Sequence, residues 1–240
     1  MLTDTGGGQQ LLLQLQKAEC RTKDIRDVFI SHRHTDHLLG LPWFLRQFQM
    51  IPAEELAERP LSIYLHPDLM AFVPAMLKGM FPEMVSRFTD AQVLRFEAVH
   101  DGEEAEILGR RITFVNLFSP TPQFGYIMKL QDGRRFLFHG DVPFNEENRS
   151  RFADTDVIMH EAFDLDEQLR LKAAGGKKRT DHSSVLQAGA YAESLGAKKL
   201  ILIHGSDREL MHRKESYLTE AKKSFSGEIF APDDFDIIEL

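Results

Sequence analysis

What these 240 residues lack narrows the field before any motif is considered. There is one cysteine, Cys20, so no intramolecular disulfide can form, and the chain fits a reducing cytoplasm. No apolar run is long enough to span a bilayer. The opening residues, Met1 to Gly8, have neither the basic start nor the apolar stretch of a secretory signal. With 29 Lys and Arg against 37 Asp and Glu, the net charge is −8. That balance speaks against a protein that coats nucleic acid with a broad basic face, and it leaves room for a local basic patch. Repeats and low-complexity linkers are absent too. Residues 1–240 therefore read as one domain, of a size that can bury a full core.

What is present is an alternation of short apolar runs and amphipathic stretches. Strands are expected at 27–31, 61–65, 111–117, 124–130, 135–139, 156–160, 200–204 and 228–231, each flanked by charge. Helices are expected at 8–19, 36–49, 67–78, 145–153, 184–195 and 210–224. Asp132-Gly133 between two strand-like runs predicts a hairpin turn. Trp43, Phe44 and Phe48, with Leu41 and Leu45, form a helical stripe that reads as core packing. The class is α/β, with helices covering the sheets.

The chemistry concentrates at Ser31-His32-Arg33-His34-Thr35-Asp36-His37, directly after the apolar run Val28-Phe29-Ile30. Four metal-ligand side chains fall within six residues. His32 and His34, two apart on an extended segment, can face the same way, and Asp36 and His37 sit where a helix begins. Imidazole with carboxylate suits zinc and its first-row neighbours, and two ligands on either side of a turn can hold two adjacent ions. Further along come Gly140-Asp141, His160-Glu161-Ala162-Phe163, His182-Ser183-Ser184 and Leu202-Ile203-His204.

This ordered set resembles the metallo-β-lactamase superfamily, in its ribonuclease Z-like branch. His-x-His-x-Asp-His after an apolar strand is similar to that family's first metal motif. Leu2-Thr3-Asp4-Thr5-Gly6-Gly7 is similar to the strand end that precedes it, and the later motifs, including Phe124-Gly125-Tyr126, follow in the family's order. The resemblance implies a four-layer αββα sandwich. It also implies one or two strands before the segment matching Leu2 to Gly7, so the first N-terminal strands of the fold are expected to be lacking.

Residue by residue, the resemblance implies two divalent metal ions, zinc before manganese or iron. His32 and His34 would bind the first ion, Asp36 and His37 the second, with Asp141 as the bridging carboxylate and His204 as a further ligand. Asp36 would also orient the nucleophile, and His182, held by Glu161, would protonate the leaving oxygen; a His in that role needs a carboxylate to fix its tautomer and charge. A metal that brings its bound water to a pKa of about 7 supplies a nucleophile at neutral pH. Lys177, Lys178 and Arg179, in the most basic stretch of an acidic chain, are candidate substrate-binding residues. His66, His100 and His212 fall outside the shared motifs, and His160 reads as orienting or structural.

The reaction expected is metal-dependent hydrolysis of a phosphodiester. The stretch from Phe124 to Gly140 is too short for the long arm that transfer-RNA-processing members of the branch carry. A small phosphodiester or a short nucleic acid therefore suits better than transfer RNA. A lactone or carboxylic-ester hydrolase, or a degenerate non-catalytic binding protein, stands as the alternative. Members of the branch are often dimers, so a homodimer belongs to the same expectation, as does a cytoplasmic location without membrane attachment.

One ligand of the branch is missing. It carries a His shortly before the Phe-Gly-Tyr strand, where this chain has Phe118 or Ser119. His139 and Asn116 are weak substitutes, and a neutral hydroxyl is a poor one for imidazole at zinc. The first ion should therefore bind more weakly than the second. Calorimetric titration with zinc should show two unequal sites, and Phe118→His or Ser119→His should tighten the weaker. Two equally tight ions in the native chain would mean that another residue, His139 first, completes the set.

Overall fold

The computed structural model describes residues 1–175, 182–206 and 211–240. The chain divides into two compact units: Met1–Glu103 with Ile107–Gly109 and Pro120–Phe124, and Glu104–Glu106 with Arg110–Ser119 and Gly125–Leu240.

The first unit is built on a four-stranded parallel sheet in the order β1 (Leu2–Thr3), β2 (Asp27–Ile30), β3 (Leu61–Leu65) and β4 (Leu94–Ala98). Parallel neighbours need crossovers. Helix α1 (Gln10–Lys17) lies between β1 and β2, and α2 (Thr35–Leu38), α3 (Leu41–Arg46) and α4 (Ala53–Ala57) lie between β2 and β3. Helices α5 (Phe72–Met80) and α6 (Pro82–Asp90) precede β4. In β3 the buried Leu61, Ile63 and Leu65 alternate with the partly exposed Ser62 and Tyr64, so one face of the strand enters the core. There it meets Val28, Ile30, Phe44, Phe48, Leu77 and Phe88.

The helix expected over 36–49 is two short helices. The break falls at Gly40, where a β-carbon would collide with the Thr5 carbonyl, and Pro42 follows at the start of α3. The Gly40 amide donates to the Gly6 carbonyl at 2.8 Å. The end of β1 thus passes so close that only glycine fits, and Asp36 and His37 are left on a one-turn helix.

The second unit is built on a seven-stranded sheet. Its strands are β5 (Glu104–Ile107), β6 (Arg110–Asn116), β7 (Phe124–Lys129), β8 (Arg135–Phe138), β9 (Val157–Glu161), β10 (Lys199–Ile203) and β11 (Glu228–Phe230), arranged β11-β10-β9-β8-β7-β6-β5. Strands β7 and β8 form the antiparallel hairpin expected at Asp132-Gly133, with Gly133 at φ 91. From β8 to β11 all pairs are parallel. The helices are α7 (Arg149–Phe152), α8 (Asp166–Ala174), α9 (Val185–Ser194) and α10 (Arg213–Ala221). Helix α9 starts on a capping box, in which Ser184 Oγ accepts from the Gln187 amide and Gln187 accepts from the Ser184 amide. Leu137, Ile158, Leu200 and Leu202 pack with Phe152, Val185, Ala188 and Phe225 in a core of the unit's own.

A mixed α/β architecture with two sheets and helices agrees with the class read from sequence. Strands β4 and β5 and helices α4, α6 and α8 were not among the expected elements. No helix among the described residues is long and apolar enough to cross a membrane.

Candidate functional site

In the first unit, the run after β2 gathers three imidazoles. His32 is fully buried and His37 nearly so, while His34 and Asp36 are exposed. The His32 ring centroid lies 4.5 Å from that of His34 and 4.2 Å from that of His37. Their orientation traces to Asp4, which sits at the end of β1 with φ 54, a left-handed conformation that Asp tolerates better than most residues. Asp4 Oδ1 accepts from the Ser31 amide at 2.7 Å, and Oδ2 accepts from Ser31 Oγ at 2.7 Å and from His37 Nδ1 at 2.8 Å.

These contacts fix tautomers. Only a protonated Nδ1 can donate to a carboxylate, so in the neutral ring the lone pair of His37 is on Nε2. Ser31 Oγ has given its one hydrogen to Asp4, so at 3.0 Å from His32 Nδ1 it can only accept. The lone pair of His32 is therefore also on Nε2, where His34 Nδ1 approaches to 2.8 Å and must donate. Outer carboxylates that orient ligating histidines in this way are a recurrent part of metal sites. Thr5 adds to the hold on α2, its amide and hydroxyl both donating to the His37 carbonyl at 2.7 and 2.9 Å. The sequence had singled out the Asp4 stretch as a strand end, without the role of its carboxylate. Sequence alone shows nothing that would link residue 4 to residues 31 and 37.

In the second unit, Asp141, Glu161, His182 and His204 each offer a ligand atom, and these four atoms lie within 4.8 Å of one another. Parallel pairing explains three of the four. Phe138 is in register with Met159, and Glu161 with Ile203, so β8, β9 and β10 deliver Asp141, Glu161 and His204 to the same carboxyl edge of the sheet. Gly140 at φ 82 turns the chain into Asp141, and His204 itself takes φ 57, an uncommon conformation for a residue with a side chain. His182 arrives from the segment leading into α9.

His182 Nδ1 is 2.9 Å from Asp141 Oδ1 and 2.8 Å from Glu161 Oε2. Asp141 first and Glu161 second raise the His182 pKa to about 10, so the ring is an imidazolium at neutral pH. Burial pushes the Glu161 carboxyl up, against the hydrogen bond from His182. The other Glu161 oxygen accepts from the Ser183 amide at 2.8 Å. Phe163 stacks on His182 at 4.6 Å between centroids, and its own carbonyl accepts from Tyr217 Oη at 2.9 Å. Phe163 thus braces the imidazole, a role its place in the motif did not announce. His204 Nδ1 lies 3.3 Å from Asp141 Oδ1.

Other residues of interest are engaged elsewhere. His139 and His160 are buried and stacked on each other at 4.3 Å, with His160 Nδ1 2.7 Å from the Glu161 carbonyl. Burial lowers both, His160 to about 4 and His139 well below its ordinary value, and neither joins the four-residue group. Asn116 Oδ1 accepts from the Phe118 amide at 2.9 Å in a local turn, and the Phe118 side chain is exposed. His66 Nδ1 accepts from the Asp68 amide, and His100 and His212 are exposed. Lys172 pairs with Asp164 at 3.1 Å. Lys177, Lys178 and Arg179 lie outside the described residues.

Imidazole and carboxylate donors this close together, with their orientations set by outer hydrogen bonds, are the set that a divalent cation takes, so the residues present fit the metal ions that the motifs imply.

A model of the beta-lactamase superfamily domain matches residues 1–205. A ribonuclease Z of Halorubrum lacusprofundi is 29% identical over 90% of this chain and 81% of its own length. Among solved structures, the metallo-beta-lactamase fold protein YhfI of Bacillus subtilis superposes with a TM-score of 0.72 at 20% identity, covering 97% of this chain and 84% of its own. The short form of human tRNase Z gives 0.70 at 21%, covering 99% and 86%.

The Asp4 network makes its own prediction. Asp4→Ala should keep the fold by circular dichroism and lower zinc affinity by about 10–100-fold, the usual cost of losing an outer carboxylate. Undiminished affinity would show that the tautomers are set without Asp4.

Proposed function

The chain belongs to the beta-lactamase superfamily, and from that premise we propose that it is a metal-dependent phosphodiesterase of the ribonuclease Z-like kind. Its substrate is a small phosphodiester or a short nucleic acid, handled in the cytoplasm by one catalytic domain. The metal ligands are His32, His34, Asp36, His37, Asp141 and His204. Zinc is favoured, with manganese and iron also compatible with imidazole and carboxylate donors. Such ions, when bound, supply an activated water and offset charge developing on a phosphoryl oxygen.

The observation that carries this proposal is the pairing of His182 with Glu161. His182 Nδ1 is committed to carboxylates, so the proton free to move is on Nε2. Glu161, with both oxygens tied by Ser183 and His182, cannot swing away and keeps the imidazole oriented. Phe163 covers one face of the ring and limits water there. Asp141 and Glu161 together hold the ring in its charged, proton-bearing form. The Asp36 side chain is 60% exposed, within reach of the solvent that supplies the water it would orient. The ribonuclease names of the relatives support this choice over a lactone or ester substrate.

His182→Ala should slow cleavage of an alkyl phosphodiester by about 10²–10⁴-fold with metal content unchanged. The deficit should shrink for bis-p-nitrophenyl phosphate, whose leaving group needs little protonation. Asp36→Ala should abolish cleavage of both while the fold survives. Metal lost along with activity in His182→Ala would make His182 a ligand and end its role as proton donor.

A further inference from the structure

Four cations line one open groove of the second unit, of about 430 Å³, and no carboxylate lines it. In a chain of net charge −8 such a concentration has to be built. The strand period builds it. Arg111 and Thr113 are two apart on β6, and Lys129 ends β7 two residues after Ile127, so all of them stand on one face of the sheet. Arg135 enters from the first residue of β8 and Arg151 from α7. None of these residues belongs to the metal or proton-transfer sets above.

The charges are not equally engaged. The Arg135 guanidinium is pinned by donation to the Ala153 and Arg151 carbonyls, at 2.5 and 2.9 Å. Those are neutral acceptors, so its position is fixed and its charge is undiminished. Arg111 lies 3.9 Å from Glu104, an exposed pair of little strength, and Thr113 Oγ1 reaches the same carboxylate at 3.5 Å. Lys129 is exposed and has no ion pair among the described residues. Val115 and Ile127 supply an apolar floor, and no aromatic ring lines the groove. A surface of this kind offers no stacking platform for bases and fits a run of phosphates.

We propose that this groove binds the phosphate backbone of single-stranded nucleic acid, as an anchoring surface separate from the residues that cut. The proposal rests on the phosphodiesterase function above and narrows the substrate to a strand long enough to reach the groove. Binding there is indifferent to base sequence and steeply dependent on salt.

The test is fluorescence anisotropy of a labelled uridylate dodecamer with the full chain, in chelator, between about 50 and about 200 mM salt. Without metal no cleavage intervenes, so a failure of binding stays distinct from a failure of hydrolysis, which the metal-loaded native chain reports on bis-p-nitrophenyl phosphate. The native chain should bind. Arg111→Ala with Lys129→Ala should weaken binding and flatten the slope of log Kd against log salt by about 0.7 for each cation removed. Both side chains are exposed, so a thermal melt should confirm that the variant folds. Lys78→Ala, which removes an exposed cation in the first unit, should change neither quantity. Equal affinity and slope in the native chain and the double variant would overturn the proposal. So would ATP displacing the dodecamer at equal concentration, which would make the groove a mononucleotide site.

Discussion

A single carboxylate, Asp4, sets the chemistry of the first unit. Ligating histidines must present a lone pair, and which nitrogen carries it depends on what holds the other. Asp4 holds His37 directly and His32 through Ser31, and the ordering passes on to His34. It can do so because β1, only two residues long, pairs with β2 at Leu2 with Val28 and Thr3 with Phe29. That register brings Asp4 level with Ile30, so its carboxylate reaches the next residue, Ser31. Gly40 completes the arrangement by letting α2 and α3 close onto the Thr5 backbone. Removing a methylene's worth of space at Gly40, or the carboxylate at Asp4, would act on the same imidazoles by different routes.

The second unit reaches a comparable end by parallel register. Three neighbouring strands finish at one edge, with Glu161 as the last residue of β9 and Asp141 and His204 beyond the ends of β8 and β10. Strand ends are rigid supports, and the unusual backbone at Gly140 and His204 spends conformational freedom to aim the two side chains. His182 depends on this frame, since both of its carboxylate partners come from strand ends. Its stacking partner Phe163 is fixed by Tyr217 from α10. The electrostatic result is a buried carboxylate pushed up beside an imidazole held charged, a pairing suited to moving a proton.

Much of this was legible in the sequence, and the gaps have physical reasons. The strands carrying Val28 to Ile30 and Leu200 to Ile203 were readable as uninterrupted apolar runs, because both faces are covered. Strand β4 announces itself only by the alternation of Leu94 and Phe96 with Arg95 and Glu97, a pattern half hidden by its charges. The break at Gly40 was not readable, since its cause is a contact with Thr5, 35 positions earlier. Asp4 posed the same difficulty. The motif residues were visible because they cluster along the chain, whereas the carboxylate that orients them acts across 27 and 33 positions. The basic groove was hidden for a related reason: its cations come from two strands, a strand start and a short helix, and no run of sequence is basic there.

The most direct test is the protonation of the imidazoles themselves. Long-range proton–nitrogen correlation spectra of the metal-free protein at neutral pH report which ring nitrogen of each histidine carries hydrogen. His37 and His32 should both appear as the Nδ1-protonated tautomer, with Nε2 showing the shift of an unprotonated nitrogen. Either ring protonated at Nε2 alone would contradict the account, because the lone pair would then face Asp4 or Ser31 instead of the position from which a metal ion is held.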